Sequence, residues 1–242
     1  MKLSENAAGV YIISATPFSE SGAIDYTSAE RLVEFYLERG VNGMTILGMM
    51  GEAPKLSSEE AQAFMAFMLK RVAGRVPVIV GVSNAGIANI ADLGHRAMEQ
   101  GAAGVMIAPS PGLGTDEKLY GYFAQCFEAL GPEVPVCYQD FPLSTGVSLS
   151  ADLFKRMVVD FDQLVMLKHE DWPGLNKLSK VRATDGRRVS ILCGNGGLFL
   201  PEEMARGADG AMTGFAFPEM LVNVVRLCNE GAHEQASDLF DA

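Results

Sequence analysis

The run Leu164-Val165-Met166-Leu167-Lys168 decides the architecture. Four consecutive apolar residues read as a parallel strand buried on both faces, whereas an antiparallel strand with one wet face would alternate. Seven similar runs recur at near-even spacing, over residues 9–16, 43–48, 76–82, 104–108, 134–138, 189–193 and 210–213. Between them lie segments of helical period, such as 26–39, with Leu32, Phe35 and Tyr36 on one face, and 58–72. Ser57 with Glu60 three residues on forms a capping box, and Gly40, Gly101 and Gly207 stand as C-terminal glycines of helices. Strict β/α alternation with short connections leaves a closed barrel or an open doubly wound sheet. A dinucleotide-binding open sheet would carry a glycine-rich loop after its first strand, and Ser14-Ala15-Thr16-Pro17-Phe18 stands there instead. Eight repeats therefore predict a (β/α)8 TIM barrel.

The length agrees. The chain has 242 residues, close to the roughly 250 of one such barrel, and a single domain over 1–242 is expected. Thirty acidic against 19 basic residues give a net charge of −11, without a Lys/Arg-rich run that would track a phosphate backbone, so nucleic acid is not expected as a partner. An acidic protein that binds an anion must concentrate positive potential locally, on a lysine, an arginine or exposed backbone N–H groups. Cys126, Cys137, Cys193 and Cys228 lack metal-ligand spacing and read as buried thiols of a reducing cytosol. The N-terminus lacks a sustained apolar stretch behind a basic segment, and no apolar run approaches a membrane span. A cytoplasmic protein without membrane or metal partners is expected.

In a barrel the functional groups lie at the C-terminal ends of the strands. Lys168 ends its run, and period two puts it on one face with Leu164 and Met166, pointing into the barrel mouth. The competing reading is a strand-terminal lysine in solvent or in a structural ion pair. Only a neutral amine attacks a carbonyl, and an ordinary lysine is almost wholly protonated at pH 7; burial shifts lysines towards the reactive form. Tyr138 closes the fifth run on the parity of Val134 and Val136, which would bring its hydroxyl to the mouth; the alternative is a core tyrosine. The second run leads into Gly48-Met49-Met50-Gly51-Glu52, whose two glycines allow close backbone approach and whose N–H groups can hold a carboxylate.

Taken in order, these elements resemble the dihydrodipicolinate synthase/N-acetylneuraminate lyase family of class I aldolases, from about residue 9 to 217. Ala15-Thr16-Pro17-Phe18 with Asp25 matches the family's first strand and helix start, and Gly48-x-x-Gly51-Glu52-Ala53-Pro54-x-Leu56 its carboxylate-binding loop. Tyr138 with Pro142 looks like its tyrosine-proline motif, and Lys168 falls where the family has its Schiff-base lysine. Gly194 and Gly207-Ala208-Asp209-Gly210 also fit. The resemblance implies a lyase in which Lys168 forms a Schiff base with pyruvate or another 2-oxo acid and Tyr138 shuttles protons. It implies that the N–H groups of Met49 and Met50 bind the carboxylate, that Gly48, Gly51 and Gly194 complete the substrate site, and that no cofactor takes part; Glu170, which the resemblance does not cover, is expected there on its position alone. A homo-oligomer, tetramer or dimer, follows from the family alone.

Departures narrow the expectation. Met49-Met50 stands where typical members have two hydroxyl residues, and the tyrosine motif has an added residue. Leu143-Ser144 replaces the arginine that the synthases use for their second substrate. No tyrosine follows the fourth strand before Tyr120, and Gly194-Asn195-Gly196-Gly197 lacks the acidic pair of sialic-acid lyases. The family's small C-terminal helical domain is expected to be largely absent from this chain. Period two turns His169 towards the helices and Glu170 back to the mouth, where it either meets a loop partner or substrate or acts as the acid–base that replaces the lost relay. Trp172 either lines the pocket or simply packs, and His95 and His233 read as surface or structural residues. The leading expectation is an aldolase acting on a 2-oxo acid with a rather apolar distal part. A hydratase or dehydratase of the same family, or a non-catalytic 2-oxo-acid-binding barrel, is the alternative.

Overall fold

The computed structural model describes residues 1–183 and 186–241, so Thr184, Asp185 and Ala242, within the expected 1–242 range, lie outside the described residues. The strands β1 (Gly9–Ile13), β2 (Gly43–Ile46), β3 (Val78–Gly81), β4 (Gly104–Ile107), β5 (Val136–Asp140), β6 (Leu164–His169), β7 (Ser190–Cys193) and β8 (Gly210–Ala211) follow one another round a closed parallel barrel. Gly9 pairs with Gly210 to close the ring. The (β/α)8 barrel read from the sequence is the fold.

Helices fill the connections: α1 (Tyr26–Glu38), α2 (Ser58–Val72), α3 (Ile87–Glu99), α4 (Asp116–Leu130), the short α5 (Pro142–Thr145), α6 (Ala151–Asp160), α7 (Leu175–Arg182), α8 (Leu200–Ala205), α9 (Pro218–Asn229) and α10 (His233–Phe240). Asp25 caps α1 by accepting from the Ser28 N–H, and both arms of the Ser57–Glu60 capping box form at α2. Among the described residues no helix is long and apolar enough to cross a membrane.

The strands are apolar at consecutive positions because each divides its side chains between two dry layers. Tyr11, Ile13, Ile79, Met106, Cys137, Met166 and Leu192 fill the barrel interior, with Leu3 against its lower end. Val10, Ile12, Met44, Val80, Ile107, Val136, Tyr138, Leu167 and Ile191 face outward into the helix layer. The interior is tight: a Cβ at Gly43 would stand 2.4 Å from the Tyr11 ring, so the glycine leaves the space that the tyrosine fills. Asp209 knots the lower rim, paired with Arg182 and Arg188 and accepting from the Ile191 N–H at 2.8 Å.

Most expected strands are trimmed at their ends. The run 9–16 stops pairing at Ile13, because the chain then leaves the barrel and the Thr16 hydroxyl donates to the Gly51 carbonyl at 2.7 Å. The run 134–138 moves two residues on, to Val136–Asp140, with a register shift against β6 between Val136 and Cys137.

Tyr138 lies at the centre of an aromatic cluster in the helix layer. Its ring stacks on Phe123 of α4 at 4.5 Å and meets Phe154 of α6 edge-on at 6.3 Å, while Phe123 also contacts Phe127. Phe123 is fully buried. Phe123→Ala is expected to lower unfolding free energy by about 3–5 kcal/mol, measured by urea denaturation; a loss well below that range would show that the cluster collapses to fill the gap.

Candidate active site

The ends of β5 and β6 carry the charged chemistry. Parallel pairing sets Gln139 beside Lys168 and Tyr138 beside Leu167, so Gln139 shares the interior face with Lys168 and Tyr138 shares the outer face with Leu167. The expectation that Tyr138 reaches the mouth is thereby corrected: its phenol is buried in the aromatic cluster, with no hydrogen-bond partner among the described residues. Burial holds that phenol well above the ordinary tyrosine range, against proton shuttling near neutrality. The extra residue between Tyr138 and Pro142 is the sequence signal for this change, because one added residue exchanges the faces of a strand.

Lys168 does point inward, as read from its run. Its Nζ lies 3.1 Å from Glu170 Oε2, and both side chains are almost wholly buried at the mouth. The same Glu170 oxygen accepts from Gln139 Nε2 at 2.8 Å. The Glu170 main chain is fixed from both sides: its N–H donates to the Asp140 carbonyl, and Asn195 Nδ2 donates to its carbonyl at 2.8 Å. Gly194 is what makes room, because a Cβ there would stand 2.2 Å from Glu170 Cγ. Gly194 thus acts first on Glu170, where the sequence reading placed it at the substrate.

The loop after β2 forms the opposite wall. Leu47 and Glu52 flank Gly48-Met49-Met50-Gly51 at positive φ, 53° and 55°, which turns the chain sharply over the mouth. The Glu52 N–H donates to the Met49 carbonyl, whereas no hydrogen bond among the described residues uses the N–H of Met49 or Met50. Gly48 closes on Ile13 and Met106 beneath, and Gly51 is tied by Thr16. The side chains of Met49 and Met50 are partly exposed and line one cavity with Ile13, Phe141, Gln139, Lys168, Glu170, Asn195, Gly196, Thr213 and Gly214. Lys168 is the one cation among these lining residues. Trp172 is not in the lining; it packs on Phe199 at 5.0 Å.

Behind the same strand ends, on the helix side, lies a second buried charge cluster. His169 turns outward as period two predicts, and its Nε2 donates to the Gly174 carbonyl at 3.1 Å. It sits 3.8 Å from both Asp140 and Glu203, and Asp140 is held by Lys177 at 2.5 Å. Burial pushes the Glu203 carboxyl up and the neighbouring Cys193 thiol well above its ordinary value. This cluster anchors α7 and the 170–174 loop to β5. Among the described residues no group of three or more His, Cys, Asp or Glu side chains is arranged to hold a metal ion.

An amine and a carboxylate in contact at the C-terminal mouth of a closed parallel barrel define the class: a (β/α)8-barrel enzyme, and by family a lyase. The chain matches the dihydrodipicolinate synthetase family over residues 6–241 and belongs to it. It is 30% identical to L-2-keto-3-deoxyarabonate dehydratase of Azospirillum brasilense, covering 97% of this chain and 76% of that protein. The crystal structure of a dihydrodipicolinate synthase from Rhodopseudomonas palustris is 51% identical with a TM-score of 0.97, over 100% of this chain and 81% of that one. A prophage protein of the same family from E. coli K12, solved in complex with pyruvate, is 26% identical with a TM-score of 0.88, over 96% of this chain and 78% of that one.

Tyr138→Phe removes a buried hydroxyl that has no partner, so stability is expected to hold or rise. Covalent trapping of pyruvate should also survive. A variant that folds but no longer traps pyruvate would return the phenol to the reaction.

Proposed function

We propose that this protein is a Schiff-base lyase of 2-oxo acids, with Lys168 as the amine and Glu170 as the acid–base group. The observation that carries the reading is the 3.1 Å contact of two buried side chains, Lys168 Nζ and Glu170 Oε2. At that distance the carboxylate takes the ammonium proton directly, freeing the amine to attack the ketone carbon, and returns the proton to the hydroxyl that leaves as water. The products are a protonated imine and one water. The N–H groups of Met49 and Met50, unengaged among the described residues, are the proposed hold on the substrate carboxylate.

The imine nitrogen then draws electrons from the bond next to the former ketone. Breaking the C–C bond needs a base at the distal hydroxyl, whereas making it needs a base at C3 and an acid at the acceptor carbonyl. Loss of water needs a base at C3, only two bonds from the nitrogen. Glu170 is in contact with Nζ, so an atom two bonds from that nitrogen falls within its reach, and this favours dehydration over C–C cleavage as the second reading. Resemblance to a protein named as a dehydratase supports it too. The wall of Ile13, Met49, Met50 and Phe141 fits a substrate whose distal part carries no second charge.

Incubation with pyruvate and borohydride, followed by intact and peptide mass analysis, is expected to leave one reduced adduct, on Lys168. Lys168→Ala should abolish it, and an adduct retained in that variant would overturn the assignment. A second expectation concerns the synthase reaction, which joins pyruvate to an amino-acid semialdehyde. Leu143-Ser144 provides no cation for the carboxylate of that partner; the Ser144 hydroxyl contacts Met49 Sδ at 3.4 Å instead. An unpaired charge in a partly dry mouth costs several kcal/mol, so kcat/KM with the semialdehyde should lie at least about a hundredfold below that of a competent synthase assayed alongside. Equal turnover would mean that another cation reaches the site.

A further inference from the structure

We propose that Gln139 is a positioning residue that holds Glu170 ionised and aimed at C3 of the imine. The proposal rests on the reading of Glu170 as the base. Gln139 is buried, faces the interior opposite Lys168 in the β5–β6 register, and lines the cavity. Its Nε2 donates to the Glu170 oxygen that also contacts Lys168 Nζ. Once Lys168 has become an imine, that nitrogen keeps at most one hydrogen for the carboxylate. The Gln139 amide then becomes the constant donor. A donor to the charged form of a carboxylate favours ionisation, and a base works only while ionised. The space in which the carboxylate lies is the one that Gly194 leaves open, and within it the amide is the donor that meets the carboxylate.

The charged and titratable surroundings are few. Lys168 on β6 and the buried Cys137 thiol on β5, pushed up to about 12 by burial, share the interior with Glu170. The loop after β7 contributes the neutral Asn195, and the end of β8 the neutral Thr213. Asp140, His169, Lys177 and Glu203 pair with one another on the helix side of the sheet, and Asp171 at the loop pairs with Lys177. Within the cavity Gln139 is thus the neutral donor to Glu170, and its removal is felt at that carboxylate first.

The test needs no knowledge of the physiological substrate. In D2O, pyruvate bound as the imine loses a methyl proton to Glu170, giving the enamine, and regains a deuteron from the exchanged carboxyl. Proton NMR follows loss of the methyl signal across a pD series. The wild type is expected to show an acid limb that Glu170→Gln abolishes together with exchange. Gln139→Met, similar in size but without the donor, should move that limb upward by about one unit while keeping borohydride trapping of pyruvate. Gln139→Asn, one methylene too short to reach, should do the same, and it preserves the test if the methionine variant does not fold. A limb that stays in place in both variants, whether or not the plateau rate falls, overturns the proposal: Gln139 would then be a packing residue only. If Glu170→Gln exchanges like the wild type, the reading of Glu170 as base fails, and the role of Gln139 fails with it.

Discussion

Because the eight strands pair all the way round, each residue of a strand is committed either to the barrel interior or to the helix layer, with no wet face to absorb an error. Everything at the mouth follows from this commitment. The register of β5 against β6 places Gln139, Lys168 and Glu170 on one side of the sheet and Tyr138, Asp140 and His169 on the other. A slip of one residue would exchange the two sets and put an aromatic ring where the amide now meets the carboxylate.

Ionisable groups therefore stand back to back across the sheet. A buried pair such as Lys168–Glu170 is a poor stabiliser, because the cost of taking two charges out of water is of the same order as their attraction. What it gains is definition: a hydrogen bond from Gln139 and ties of the Glu170 backbone to β5 and the β7 loop hold the carboxylate in the space that Gly194 leaves. The outer cluster of Asp140, His169, Lys177 and Glu203 pins the helix that follows β6. The same short stretch, 168–170, thus carries the inward amine, the structural anchor and the carboxylate that meets the amine in succession.

The rest of the mouth is unusually plain. Two methionines and a phenylalanine stand where charge or hydroxyl groups would otherwise be available to a substrate, and Lys168 supplies the local positive charge. For a protein of net charge −11 this confines attraction for an anion to one lysine and to the backbone N–H groups of a strained turn. On the proposed reading, such an arrangement suits one carboxylate next to a ketone and offers little to a second.

Much of this was legible in the sequence. Eight doubly buried runs alternating with helices imply the barrel, since only parallel strands covered on both faces read that way. A lysine at the end of one run, with His169 and Glu170 after it, predicts the inward and outward directions by period two, and all three directions hold. The same rule did not settle the direction of Tyr138. Val134, Val136 and Tyr138 do share one face, as period two requires, but that face looks into the helix layer and Cys137 and Gln139 take the interior, a choice fixed by how β5 pairs with β6. Which residue of one strand faces which residue of the next depends on long-range pairing, which leaves no local mark in composition or period. For that reason Gln139, one residue beyond the tyrosine, became visible as the partner of Glu170 only once the two strands were laid side by side. The space left by Gly194 is likewise a property of packing. The sequence by itself fixed the fold and the lysine at the mouth, because both follow from local patterns of burial; the neighbours of that lysine were decided by the tertiary structure, because they come from strands that meet only when the barrel closes.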